Sequence, residues 1–239
     1  MERQWEPLGG GAGVWMSEAH RFGEDALLLA RFSLEALPAK PAAAGRPALR
    51  AVDLGTGCGI LPVLWCRERP ELQVDGLEIQ PEAAELARLS AQDSGFSGRI
   101  RVHDADLRRW REALPPGSMD LAAMNPPYFP AGGGAVCPGD ASRIARHETA
   151  DPALPGCTFS DAARAAAGLL RHGGRLCFCH RPQRAADVLL LLREAGLEPK
   201  RLRFVQRRIQ DAPWLLLCEA RKGGRPGLQV EPVLLQSPK

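Results

Sequence analysis

Leu49–Ile60, LRAVDLGTGCGI, is the stretch that decides the fold. An apolar run closing on Asp53, followed by Gly55, Gly57 and Gly59, is the pattern of a buried strand turning sharply into a helix, here expected over 59–68. Outward from it, LQVDGLEI (72–79), RIRVHDAD (99–106) and SMDLAAMN (118–125) have the character of further strands. PEAAELARLSAQDSG (81–95) predicts a helix, with Pro81 in its first turn and Gly95 after its end. Helices over 159–171 and 183–195 alternate with strands at 174–179 and 198–206, and WLLLCEAR (214–221) closes the series. This alternation argues an α/β, doubly wound, mostly parallel seven-stranded sheet. The final strand follows a turn near Asp211 and Pro213 that is too short for a crossover helix, so it is expected to pair antiparallel. The parts are a segment with one helix and a linker (1–48), the main domain (49–222) and a tail (223–239).

Composition sets the class. With 45% hydrophobic and 25% charged residues in 239, the chain has material for a core and is not disordered by default. No window approaches the roughly 18 apolar residues of a membrane span, and no secretory leader is evident, so a cytoplasmic protein without membrane association is expected. The seven cysteines form no CxxC pair and have no histidine at zinc-ligand spacing, which predicts no metal site. Cys177 and Cys179, two apart on a strand, are expected to be small buried hydrophobes on one face. The oligomeric state is open, with a monomer favoured.

In an open α/β sheet, ligands bind outside the carboxyl ends of the strands, beside the first one. The G-x-G-x-G spacing of Gly55, Gly57 and Gly59 differs from the G-x-G-x-x-G of dinucleotide sites. Asp53 would repel a pyrophosphate and suit a cation. Glu78, at the end of the second strand, is placed to accept from ribose hydroxyls, and Asp106, at the end of the third, from an adenine amine. Three acids at successive strand ends describe a pocket for a nucleoside without phosphates but with a positive centre, and S-adenosylmethionine meets that description. The alternative is a tight turn that holds no ligand. Over residues 20–222 the chain resembles the class I (Rossmann-like) S-adenosylmethionine-dependent methyltransferases, which implies that Ile79 and Leu107, next to the acids, also line the cofactor site.

The fourth strand runs into Asn125-Pro126-Pro127-Tyr128. The nitrogen of an exocyclic amine is a poor nucleophile, because its lone pair is delocalised into the ring. Two rigid acceptors at its hydrogens, the Asn125 side-chain oxygen and the Pro126 carbonyl, would concentrate that lone pair, and Tyr128 offers a face for a planar group. The tetrapeptide resembles the motif of amino methyltransferases acting on adenine in nucleic acid, cytosine in DNA, or the glutamine amide of release factors.

RFGEDALLLARF (21–32) resembles the segment that closes over the cofactor in the bacterial valine-tRNA adenine-N6 methyltransferases, which implies cofactor contacts from Phe22, Gly23 and Asp25. IARHE (144–148) and HRPQR (180–184) are also similar to that family, whose product is methylated adenine next to the anticodon of valine tRNA. The competing readings are a protein glutamine methyltransferase, for whose helical substrate domain residues 1–48 are short, another nucleic-acid amino methyltransferase, and an inactive RNA- or cofactor-binding module. After the catalytic turn, the long 129–158 segment carries Phe129, Arg143, Arg146 and His147 as candidate substrate contacts. Eight basic residues against three acids in 197–225 would track phosphates or guard an edge strand.

Overall fold

A computed structural model describes residues 2–38, 48–128, 144, 147–151 and 153–236. Its parallel strands are β3 (Arg50–Leu54), β4 (Gln73–Glu78), β5 (Ile100–Asp104), β6 (Met119–Met124) and β7 (Leu170–His180), followed by β8 (Leu197–Gln206) and β9 (Leu215–Lys222). In space the order is β8-β9-β7-β6-β3-β4-β5, and β9 is antiparallel to both β7 and β8. The expected late antiparallel strand is therefore present. Order reverses between β3 and β6, so the ends of these two strands flank the crevice.

Period-two alternation feeds two cores. Ala51, Leu121 and Ala123 face α1 (Glu24–Glu35), α2 (Ile60–Glu68) and α3 (Pro81–Asp93). Val52, Ala122 and Met124 face α4 (Phe159–Leu169), α5 (Ala185–Glu194) and Trp110. Trp65 Nε1 donates to Ser33 Oγ at 2.9 Å inside the first core and ties α1 to α2. Thr158 and Asp161 cap the start of α4 reciprocally.

Three features depart from the sequence reading. The amino-terminal segment carries, besides α1, a hairpin of β1 (Gln4–Gly9) and β2 (Ala12–Met16). Gly9, Gly10 and Gly11 take positive φ in its turn, and the β2 backbone donates to Ser90 and Ser94 on α3. Among the described residues the sheet has nine strands, because β10 (Gln229–Val230) and β11 (Leu234–Leu235) of the tail pair parallel with β8. Third, Asp106 lies beyond β5, where it caps the 3-10 turn Leu107–Glu112. No helix among the described residues is long and apolar enough to cross a membrane.

A buried carboxylate organises the β8 edge. Glu219, 2% exposed, accepts from Arg175 at 2.7 Å and from Arg201 at 2.9 Å. Arg201 also reaches Glu35 of α1 at 2.8 Å and Glu231 of the tail at 2.6 Å, and Arg203 pairs with Glu231 at 2.6 Å. Removing one member leaves charge unpaired at a half-dry site. Glu219→Ala is expected to cost about 2 to 3 kcal/mol in denaturant unfolding, against almost nothing for Lys200→Ala; equal midpoints for the two variants would contradict this.

Candidate active site

The turn after β3 is held by β4. Gly55 and Thr56 both donate their backbone N–H to the Leu77 carbonyl, at 2.8 and 3.0 Å, and Gly57 N–H donates to Glu78 Oε2 at 2.8 Å. Gly55, Gly57 and Gly59 have φ of +75°, +57° and +85°. A Cβ on Gly55 or Gly57 would meet nothing within 4 Å, so these two border open space. Gly59 does a different job from its neighbours: a Cβ there would lie 3.2 Å from Ala87, so it allows α2 and α3 to approach and is not in the cavity lining.

The cavity at this turn is lined by Asp53, Gly55, Gly57, Glu78, Ile79, Asp106, Leu107, Asn125 and Pro127, and by His20 and Phe22 from the segment before α1. Asp53 and Glu78 are both buried. Burial pushes the Asp53 carboxyl up to about 7, aided by the nearby Glu78 and opposed by the Thr56 hydroxyl that donates to it at 2.8 Å. Burial also raises Glu78, although the backbone N–H groups of Gly57 and Gln80 oppose the shift. Two under-compensated acids beside a glycine cradle fit a nucleoside bearing a cation. Asp106 is less free than the sequence implied, because both of its oxygens accept from the Arg108 guanidinium. Arg108 in turn holds the carbonyls of Asp151 and Leu154, each at 3.0 Å.

At the end of β6, Asn125 and Tyr128 enter a closed polar circuit. The Tyr128 hydroxyl lies 2.6 Å from Asn125 Oδ1 and 2.6 Å from Asp25 Oδ2, so its single proton has two acceptors. The Asn125 amide donates to Asp25 Oδ2 at 3.3 Å, and the Cys179 thiol lies 3.1 Å from Asn125 Oδ1. Burial, with Cys179 and Asp25 adding to it, raises Tyr128 well above its ordinary value, so it remains a phenol. Asp25 thus turns to the Asn125–Tyr128 corner and, with Gly23, stays out of the cavity lining. Its other oxygen accepts from Ala26 N–H at 2.9 Å, in the first turn of α1, where an anion is favoured. Gly23 leaves room for that carboxylate, since a Cβ there would sit 2.6 Å from Oδ1.

Outside the corner, the Arg181 guanidinium lies 5.0 Å over the Tyr128 ring, and buried His180 meets its edge with centroids 5.6 Å apart. His180 is pushed down to about 4, first by burial and then by Arg184, and is neutral. Glu148 and Arg184, from the two short stretches noted in the sequence, approach to 4.0 Å. His147 is half-buried beside them, whereas Phe129, Arg143 and Arg146 lie outside the described residues. Among the described residues no His, Cys, Asp and Glu cluster is placed to hold a metal. Sequence reasoning missed Thr56, Arg108 and Arg181, and it gave Cys179 a packing role only.

Residues 24–136 match the family described as "Methyltransferase small domain". A tRNA1(Val) (adenine(37)-N6)-methyltransferase of Yersinia pseudotuberculosis is 29% identical over 190 residues, which cover 79% of this chain and 65% of that protein. Among solved structures, a predicted O-methyltransferase from Agrobacterium tumefaciens superposes with a TM-score of 0.66 at 26% identity, covering 88% of this chain and 86% of its own. A geranyl diphosphate methyltransferase in complex with SAM shares the fold, with a TM-score of 0.56 at 15% identity over 82% of this chain and 84% of its own.

The raised Asp53 carboxyl has a measurable consequence. An unfolded aspartate titrates near 3.9, so the stability from protonated Asp53 is fully present below about pH 4 and is lost as pH rises through about 7. Between pH 5 and 8, wild type is expected to lose stability relative to Asp53→Asn. Parallel pH profiles of the two proteins in denaturant titrations would overturn this assignment.

Proposed function

Residues 24–136 match the methyltransferase small-domain family, and on that premise we propose that this chain transfers a methyl group from S-adenosylmethionine to the exocyclic N6 amine of an adenine in tRNA, the purine next to the anticodon of valine tRNA. The observation that carries this reading is the juxtaposition of the Asn125 corner with the Asp53–Glu78 cavity, since Asn125 and Pro127 line that same cavity. The likeness to the Yersinia adenine-N6 methyltransferase supports the choice of amine.

When bound, the cofactor supplies an electrophilic methyl on a sulfonium. Glu78 has lone pairs left beyond its two backbone donors and accepts from ribose hydroxyls. Asp53, in the same cavity, would meet the positive charge, which would hold its carboxyl ionised. Phe22, Ile79 and Leu107 supply apolar wall, and Asp106, with its charge already matched by Arg108, contributes a polar edge and not a free anion.

At the corner, Asn125 Oδ1 and the Pro126 carbonyl accept the two hydrogens of the substrate amine. A hydroxyl substrate would leave one of these acceptors idle. In the structure Tyr128 occupies Asn125 Oδ1, but Asp25 waits at the same 2.6 Å distance, so Tyr128 yields Asn125 without losing its hydrogen bond. Asp25 also fixes which way the Asn125 amide faces, because only the NH2 end can donate to a carboxylate.

The deciding experiment incubates the protein with labelled cofactor and tRNA lacking the modification, then digests and identifies the methylated nucleoside; label on a release-factor glutamine instead would refute the tRNA reading. Asn125→Ala is expected to lower methyl transfer by about 100-fold or more with cofactor affinity unchanged, because an acceptor of the transition state is lost. Glu78→Ala is expected to weaken cofactor binding by about 1 to 3 kcal/mol in calorimetry. Normal transfer by the first variant would make the corner structural.

A further inference from the structure

The basic residues of 197–225 divide into two groups. Arg201 and Arg203, in the middle of β8, are consumed by Glu35, Glu219 and Glu231. The others of interest gather at the turn between β8 and β9, residues 207–214. β9 is antiparallel to both β7 and β8, and β7 is parallel to β6, so β8 points the same way as β3 and β6. The turn therefore lies at the edge of the sheet where the Asn125–Tyr128 corner opens.

There Trp214 connects Arg207 of the turn to Arg181 and so to Tyr128. The Arg207 guanidinium lies 5.2 Å over the Trp214 ring, with Glu24 at 3.9 Å. Arg208 is exposed and has no acidic partner within ion-pair reach among the described residues, and Ile209 beside it is 79% exposed. The Trp214 carbonyl accepts from Arg181 Nη1 at 3.4 Å, and Arg181 lies over Tyr128. Arg21 is exposed on the rim of the cavity. Four guanidiniums thus lie on the strand-end side that carries the site, with Glu24 and Asp211 the acids nearest the turn in sequence or contact.

We propose that the β8–β9 turn, continued through Arg181, is the surface that grips the RNA strand flanking the base presented to Tyr128; the inference rests on the tRNA reading above. Planar guanidiniums pair with phosphates and stack on bases, and an arginine on an indole is a stacking platform for an unpaired nucleotide. The exposed Ile209 can cover the face of a splayed base, because single-stranded RNA is recognised by such apolar and stacking contacts. Arg181 marks the junction of grip and chemistry: its guanidinium lies over the Tyr128 ring, where the target base would stack, and releasing it to a neighbouring phosphate frees that face.

The test compares wild type, Arg207→Ala/Arg208→Ala and Arg207→Lys/Arg208→Lys in steady-state methylation of unmodified tRNA at several salt concentrations, with cofactor affinity measured alongside. For the alanine pair we expect KM for tRNA to rise about tenfold, kcat and cofactor affinity to hold, and the slope of log affinity against log salt to become shallower by about 1.5. The lysine pair should recover the slope but not the full KM, since it keeps the charge and loses the stacking. If wild type methylates tRNA and the alanine pair matches it in KM and slope, the turn is no RNA surface and the function stands. If wild type methylates a protein amide and not tRNA, the functional reading fails and takes this surface with it.

Discussion

The end of β4 governs the site. Its last two residues accept three consecutive backbone donors from the turn after β3: Leu77 takes Gly55 and Thr56, and Glu78 takes Gly57. A turn of three glycines at positive φ is entropically expensive, and these bonds hold it in one conformation. The same residues then set the chemistry. Glu78 is buried because it is built into the turn, and burial beside Asp53 raises both carboxyls. One side chain therefore both holds the turn and lines the cavity.

The second dependency runs through Asp25. One oxygen belongs to the first turn of α1 and the other to Asn125 and Tyr128, so the position of a helix decides the orientation of an amide on the far side of the crevice. α1 is itself anchored at its other end by Glu35 to Arg201 and through Ser33 to Trp65. Rigidity at the corner is thus supplied from both ends of α1 as well as by the two prolines.

Much of this was legible in the sequence where local pattern equals local structure. The strand that runs through Asp53 into the glycine turn, the strand that carries Glu78 near its end, helices after glycine turns or beginning at Pro81, and the antiparallel β9 follow from periodicity and turn chemistry. What sequence could not supply were pairings across long separations. Asp25 and Asn125 are 100 residues apart, and nothing local in FGEDA distinguishes a helix-capping acid from one that also reaches a distant amide. Arg108 neutralises Asp106 only because the 3-10 turn folds back on its own cap. The basic stretch 197–225 was ambiguous for a similar reason: partners for Arg201 and Arg203 come from α1, β9 and the tail, and composition alone cannot show which cations are already spent. The hairpin was missed because GGG between two aromatic-rich runs looks like a loop until α3 offers it serines to dock on.

The clasp of Arg201 by Glu35 and Glu231 has a temporal side. A ribosome makes Glu35 166 residues before Arg201 and Glu231 30 residues after it, so Glu35 waits long for its partner while the guanidinium itself waits only for the tail. Until β10 and β11 arrive, β8 is a bare edge with unpaired backbone groups, the kind of surface that recruits other nascent chains. Closing it requires the pairings of Gln229 with Arg201 and of Leu234 with Val205, which come from chain made shortly after β8 itself. The edge therefore stays open from the making of β8 until the segment 229–235 follows it, and that segment acts as the latch that shuts it.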